Sequence, residues 1–123
     1  MKRILELVLA WQLRRLLKRH HPTIVVVAGS VGKTGTKLAI ATVLSQQKKV
    51  CYQVGNYNVP LTVPLVFFDQ KLPNKLTNVF AWLRLFAANE HALRRSFEYD
   101  VVVLEFGIDK PGEMQQLLAL VRP

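Results

Sequence analysis

The run Thr23–Ala28, TIVVVA, followed at once by Gly29-Ser30-Val31-Gly32-Lys33-Thr34, constrains the fold more than any other stretch of the chain. Six residues rich in β-branched side chains read as a strand buried on both faces. A helical pattern opens at Lys33 and runs to about Gln47, with Leu38, Ile40, Ala41, Val43 and Leu44 as its apolar set. Val50–Val54 is a second strand candidate. Strand, helix and strand in this order predict a right-handed parallel crossover, and therefore an α/β architecture.

The turn between the first strand and the helix has a chemistry of its own. Glycines at 29 and 32 let the backbone bend tightly and bring the N–H groups of Ser30, Val31 and Gly32 close to an anion. The helix that follows presents unpaired N–H groups, including that of Gly35, and about half a positive charge at its start. Lys33 supplies a mobile point charge for terminal phosphates. The Thr34 hydroxyl is the hard oxygen donor that Mg²⁺ prefers. The long phosphate-loop pattern puts a further glycine five residues before Gly32. That position is Val27, so the match is to the shorter GxxGK[ST] form. Gly29 to Gly35 form the predicted nucleotide-phosphate site.

Further along, 55–64 (GNYNVPLTVP) is a loop, Leu65–Phe68 is too short to assign, and Pro73-Asn74 marks another break. Leu76–Arg95 reads as a helix with Val79, Phe80, Leu83, Phe86 and Ala87 on its core face; Trp82 also reads as core. That helix is alternatively a stripe facing a partner. Tyr99–Phe106 is the strongest strand signal, and Glu113–Val121 a final helix. Glu105 stands at the carboxyl end of that strand, where parallel sheets bind ligands, and is the predicted second ligand of Mg²⁺ beside Thr34. Asp100 is at the wrong end and reads as a surface residue. Cys51 reads as a small buried hydrophobe, and a lone cysteine excludes an intramolecular disulfide. His20, His21 and His91 read as solvated.

The charge is uneven. The chain carries +9, and residues 1–22 alone hold +5 of it through Lys2, Arg3, Arg14, Arg15, Lys18 and Arg19 against Glu6. Met1–His21 reads as an amphipathic helix stopped by Pro22, with Ile4, Leu5, Leu9, Leu13, Leu16 and Leu17 as its apolar side. It is far short of the roughly 20 apolar residues that span a bilayer. Two placements are open: packing on the body of the domain, or lying on an anionic membrane surface through residues 1–21. Nucleic acid is not the expected partner, because the cations lack interleaved aromatics and no reading motif is present.

VAGSVGKTGTK (Val27–Lys37), GNYNVPLTVPL (Gly55–Leu65) and VVVLEFGIDKPGEMQQLLALVRP (Val101–Pro123), in this order, resemble the motifs of the central ATP-binding domain of the Mur ligase family. The resemblance covers about residues 23–123. It implies a P-loop NTPase-like parallel sheet flanked by helices, left incomplete here, with residues 1–22 as a basic helical arm and 23–123 as part of the central domain. It also implies a reaction: ATP phosphorylates a carboxylate, an amine attacks the acyl phosphate, and an amide forms in peptidoglycan precursor synthesis. In that scheme Lys33 is catalytic, neutralising the γ-phosphate as it transfers, while Thr34 and Glu105 hold Mg²⁺. Asn56 and Asn58 match a polar loop near nucleotide and substrate; turn formation, which asparagine favours, is the competing explanation. The implied ligands are ATP, Mg²⁺ and a UDP-muramoyl-peptide-like substrate, and the implied location is the cytoplasm, with the inner membrane face as an alternative. The chain ends partway through the family's central domain, so a fragment or truncated paralogue unable to complete the reaction alone is expected. The competing expectation is a stand-alone nucleotide-binding or regulatory module.

Overall fold

The computed structural model describes residues 1–54, 59–107 and 111–123. Its elements are α1 (Lys2–His20), β1 (Thr23–Ala28), α2 (Lys33–Leu44), β2 (Val50–Tyr52), α3 (Val63–Phe68), α4 (Val79–Leu93), β3 (Val101–Phe106) and α5 (Glu113–Val121). The three strands form one parallel sheet in the order β1-β3-β2. The first two strands are therefore not neighbours: the strand richest in buried apolar residues takes the centre. Thr23 pairs with Val101 and Ala28 with Phe106, while Val50 to Tyr52 pair with Val101 to Val103.

This order corrects one expectation. β1 is an edge strand with half-buried interior residues, not a strand covered on both faces, because that environment belongs to β3. Alternation along β3 divides the core. Val102, Leu104 and Phe106 join Leu13 and Leu16 of α1, Val63, Val66, Phe67 and Phe68 of α3, and Leu117 and Val121 of α5. The register sends Val101, Val103 and Glu105 to the opposite face, where α2 packs. Only Lys37 and Ala41 of α2 are buried, and Leu38 and Val43 of the predicted apolar set are exposed. The short run left unassigned is α3, wholly buried, with Pro64 in its first turn where a missing N–H is harmless.

α4 is the predicted helix with most of its expected core face turned outward, although Trp82 is buried and Phe86 partly buried as expected. Trp82, Leu85, Asn89 and Leu93 point inward, whereas Val79, Phe80 and Leu83 are exposed, Phe80 by 80%. Phe86 is partly buried, in contact with Trp82. Residues 79–88 are apolar nearly all round, so spacing alone offers two stripes. The inner one wins because it meets α1.

One face of α1 packs on the body. Leu5, Leu9, Gln12, Leu13 and Leu16 are buried, while Ile4 is exposed. His21 closes the helix in a left-handed conformation (φ 48°), its N–H donating to the Leu17 carbonyl, and Pro22 follows. Gln12 lies inside the α1–α4 seam. Its Nε2 donates to the Phe86 carbonyl (3.2 Å) and to Glu90 Oε1 (3.1 Å), and its Oε1 accepts from Asn89 Nδ2 (2.9 Å). The Asn89 Oδ1 has no hydrogen-bond partner among the described residues.

A polar pair in an otherwise apolar seam is costly when half removed. Gln12→Ala is expected to lower unfolding free energy by about 2 kcal/mol, since it strands the buried Asn89 amide as well as opening a void. Gln12→Leu combined with Asn89→Leu is expected to cost much less than either single change. Urea denaturation of Gln12→Ala, the two single leucine variants and the double variant checks this; equal losses in single and double variants would contradict it.

Candidate functional site

β1 ends at Ala28, and the chain turns through Gly29 (φ 141°) and Gly32 (φ 78°) into α2. A Cβ at either glycine would meet no atom within 4 Å, so the backbone angle and not crowding demands glycine there. Among the described residues the space in front of the loop is open, and Ser30, Val31, Gly32, Thr34 and Gly35 are exposed. N–H groups in the first turn of α2 have no intrahelical acceptor. The first closing bond runs from the Thr36 N–H to the Gly32 carbonyl (3.0 Å). No acidic residue stands in that turn to occupy its positive end. Lys33 folds back over the loop, Nζ donating to the Ser30 carbonyl at 3.4 Å.

The parallel register sets Val27 beside Glu105, which puts the acid at the mouth of the loop. The Thr34 hydroxyl lies 3.2 and 3.1 Å from Glu105 Oε1 and Oε2. Lys37 Nζ donates to Oε1 at 2.7 Å. This ion pair is shielded, with side-chain exposures of 3% for Lys37 and 13% for Glu105. The hydrogen-bonded ammonium of Lys37 holds the Glu105 carboxyl below its ordinary value of 4.5; burial opposes this, and Thr34 and the charge of Lys33 assist it. The Glu105 backbone N–H donates to Gln53 Oε1 at 2.7 Å. Gln53 is buried, and its own N–H donates to the Val103 carbonyl (3.1 Å), so its side chain carries the ladder past the end of β2.

Thr34, Glu105 and Lys33 thus converge as their sequence positions suggest. Lys37 and Gln53 were not foreseen. Lys37 had a signal: it follows Thr34 by three residues and Lys33 by four, on the same face of a helix. Gln53 had none, since its role depends on β2 stopping one residue earlier. Asn56 and Asn58 lie outside the described residues. Cys51 is partly buried, its Sγ 3.7 Å from the Val66 carbonyl, and burial pushes its thiol up to about 11, as expected of a small apolar residue.

The donor set suits one kind of metal. Among the described residues no three His, Cys, Asp or Glu cluster to form a cage. A hydroxyl and a carboxylate facing each other fit Mg²⁺, which takes one or two protein oxygens and completes its shell with phosphate and water. A cavity of about 430 Å³ lined by Arg14, Lys18, His21 and Arg122 with Leu17, Ile24, Leu120 and Val121 lies at the opposite, amino end of β1, away from this constellation.

No protein-family model matches the chain. It is 30% identical over 100 residues, 81% of its own length, to UDP-N-acetylmuramoyl-tripeptide–D-alanyl-D-alanine ligase of Escherichia coli strain K12. In fold it is similar to the UDP-N-acetylmuramoylalanyl-D-glutamyl-2,6-diaminopimelate–D-alanyl-D-alanyl ligase of Acinetobacter baumannii, with a TM-score of 0.65 over 99% of the chain at 21% identity. The chain spans 17% of the first protein and 21% of the second. In sequence over 100 residues and in fold over nearly its whole length, this chain is similar to these two ligases.

Proposed function

We propose that the chain is the nucleotide-holding segment of an ATP-dependent, amide-forming ligase of peptidoglycan precursor synthesis. The observation that carries this reading is the meeting of Thr34 and Glu105 within 3.2 Å at the mouth of an open glycine loop. The N–H groups of Gly29 to Gly35 receive the phosphates, and Lys33 swings from the Ser30 carbonyl onto the terminal one. Thr34 and Glu105 hold Mg²⁺, which neutralises phosphate charge when bound. Lys37 keeps the carboxylate ionised and in place, as a positioning residue. Asn56 and Asn58 contact nucleotide or substrate in this reading, and the acyl substrate is a UDP-muramoyl peptide, as the names of both relatives suggest. Residues 1–22 act as an arm on a partial central domain, 23–123, working in the cytoplasm.

ATP with Mg²⁺ is expected to raise the melting temperature. At about a hundredfold excess over the dissociation constant the linkage is about 2.7 kcal/mol, or roughly 10 °C for a domain of this size. Lys33→Ala should remove most of the rise. Differential scanning fluorimetry checks this, and an undiminished rise in the variant would refute the loop assignment.

The Glu105 pair has a signed pH dependence. Its carboxyl is depressed in the folded chain, so the stabilisation is complete above the unfolded value and is lost as pH falls below about 4.5 through the folded value. Glu105→Gln should be less stable than the parent at neutral pH, with the difference shrinking below that pH. Lys37→Met, which strands the shielded carboxylate, should cost on the order of 3 kcal/mol. Chemical denaturation at neutral and acid pH tests both; a parent-minus-Gln difference that grows on acidification would overturn the pairing.

A further inference from the structure

α1 and α4 lie side by side and run in the same direction. Gln12 meets Phe86 and Glu90, Arg15 meets Glu90 at 2.6 Å, and Arg19 Nη1 donates to the Leu93 carbonyl at 2.6 Å. The Arg15–Glu90 pair is a surface pair, so it marks the side on which both helices face outward together. Moving from it toward the amino ends, at helical spacing, reaches Trp11, Leu7 and Ile4 on α1 and Leu83, Phe80 and Val79 on α4. All six are exposed: Ile4 by 64%, Leu7 by 55%, Trp11 by 54%, and the three on α4 by more than half. On α1 this outer stripe is opposite the buried one, so the helix is apolar on two sides over its first three turns.

The surroundings of this patch are basic. Arg3, Arg14 and Lys18 of α1 and Arg84 of α4 are exposed around it. The two helices carry one acid each, Glu6 and Glu90, and Glu90 is held by Arg15. The Arg15 guanidinium also stacks over Trp11, 4.5 Å from the ring centroid. We infer that this two-helix face docks on the surface of an anionic lipid bilayer, with the six apolar tips in the acyl boundary and the cationic rim among the headgroups. Charge complementarity selects this occupant. A second copy docking by two-fold symmetry would set the basic rim against itself. A bilayer interior accepts apolar tips, anionic headgroups accept the rim, and a half-exposed tryptophan suits the boundary between them. Among the described residues no helix is long and apolar enough to cross a membrane, so the contact is lateral. This inference is independent of the nucleotide reading.

The test is flotation of the 123-residue chain with vesicles of phosphatidylglycerol and phosphatidylcholine, against vesicles of phosphatidylcholine alone. Partition onto the anionic vesicles is expected to be about tenfold stronger or more, and to fall at high salt. Leu7→Gln with Leu83→Gln alters only exposed side chains and should reduce partition about fivefold with unchanged circular dichroism. The parent's tryptophan emission should shift blue on binding, and that shift should vanish in Trp11→Phe. Absence of binding to anionic vesicles would overturn the inference. So would binding that the double variant leaves intact, which would mean attraction by charge alone. A dimer of the parent that the double variant dissolves would give the face to a second copy and overturn it as well.

Discussion

The carboxylate of Glu105 is gripped from two directions by the helix that begins at the glycine loop, and the site's geometry depends on that grip. α2 has little else to hold it. Of its twelve residues only Lys37 and Ala41 are buried, and two of its larger apolar side chains face out. A lysine shielded to 3% exposure requires a counter-charge, and the acceptor within reach is on the central strand, 68 positions away in the chain. The pair therefore fixes where α2 starts relative to β3. That start fixes the loop, because Gly32 is the residue before it. A charge pair in this position adds less net stability than an apolar contact of equal size, but it is directional. It orients Thr34, on the next face position, toward the same carboxylate.

The pair is stiff because of what lies beneath it. Glu105 occupies the one polar inward position of a strand whose other five residues are fully buried. Val102, Leu104 and Phe106 anchor β3 to α1, α3 and α5 on the far face, so the strand cannot slide without opening the main core. Its N–H at Glu105 is taken by the side chain of Gln53 instead of by a further residue of β2. The backbone at the acid is thus held on one side by β1 and on the other by an amide. Packing on one face supplies rigidity, and the opposite face uses it to aim two oxygens at one point.

Much of this was legible in the sequence. The bounds of β1 and α5 agree with the periodicity, and the Gly29–Gly32 turn stands between strand and helix as its residue types require. What was not legible is the choice among equivalent options. Spacing gives α4 two apolar stripes, and only the presence of α1, with Gln12 aimed at Asn89, selects the one containing an asparagine. Hydrophobic patterning treats that asparagine as a reason for exposure. Sheet order was likewise hidden, because a β-branched run reads alike at an edge and at a centre. Lys37 had only a positional signal, sharing a helix face with Lys33 and Thr34, and its type argued against it, since a lysine in an amphipathic helix is assigned to solvent unless its counter-charge is known.

The register explains the shortened glycine pattern as well. In the longer form of the pattern the residue at position 27 is glycine, and the loop leaves the strand there. Here Val27 remains in the ladder opposite Glu105, and Ala28 opposite Phe106. The strand therefore runs two residues beyond the point where the longer loop would part from it. Glycine at 27 would remove a β-branched side chain from an edge strand and loosen the backbone next to the acid. With valine there, the turn is confined to Gly29–Gly32, and both positive angles of the loop fall on its two glycines. The missing glycine is thus what lets β1 hold Glu105 in register while the turn that follows stays free to bend.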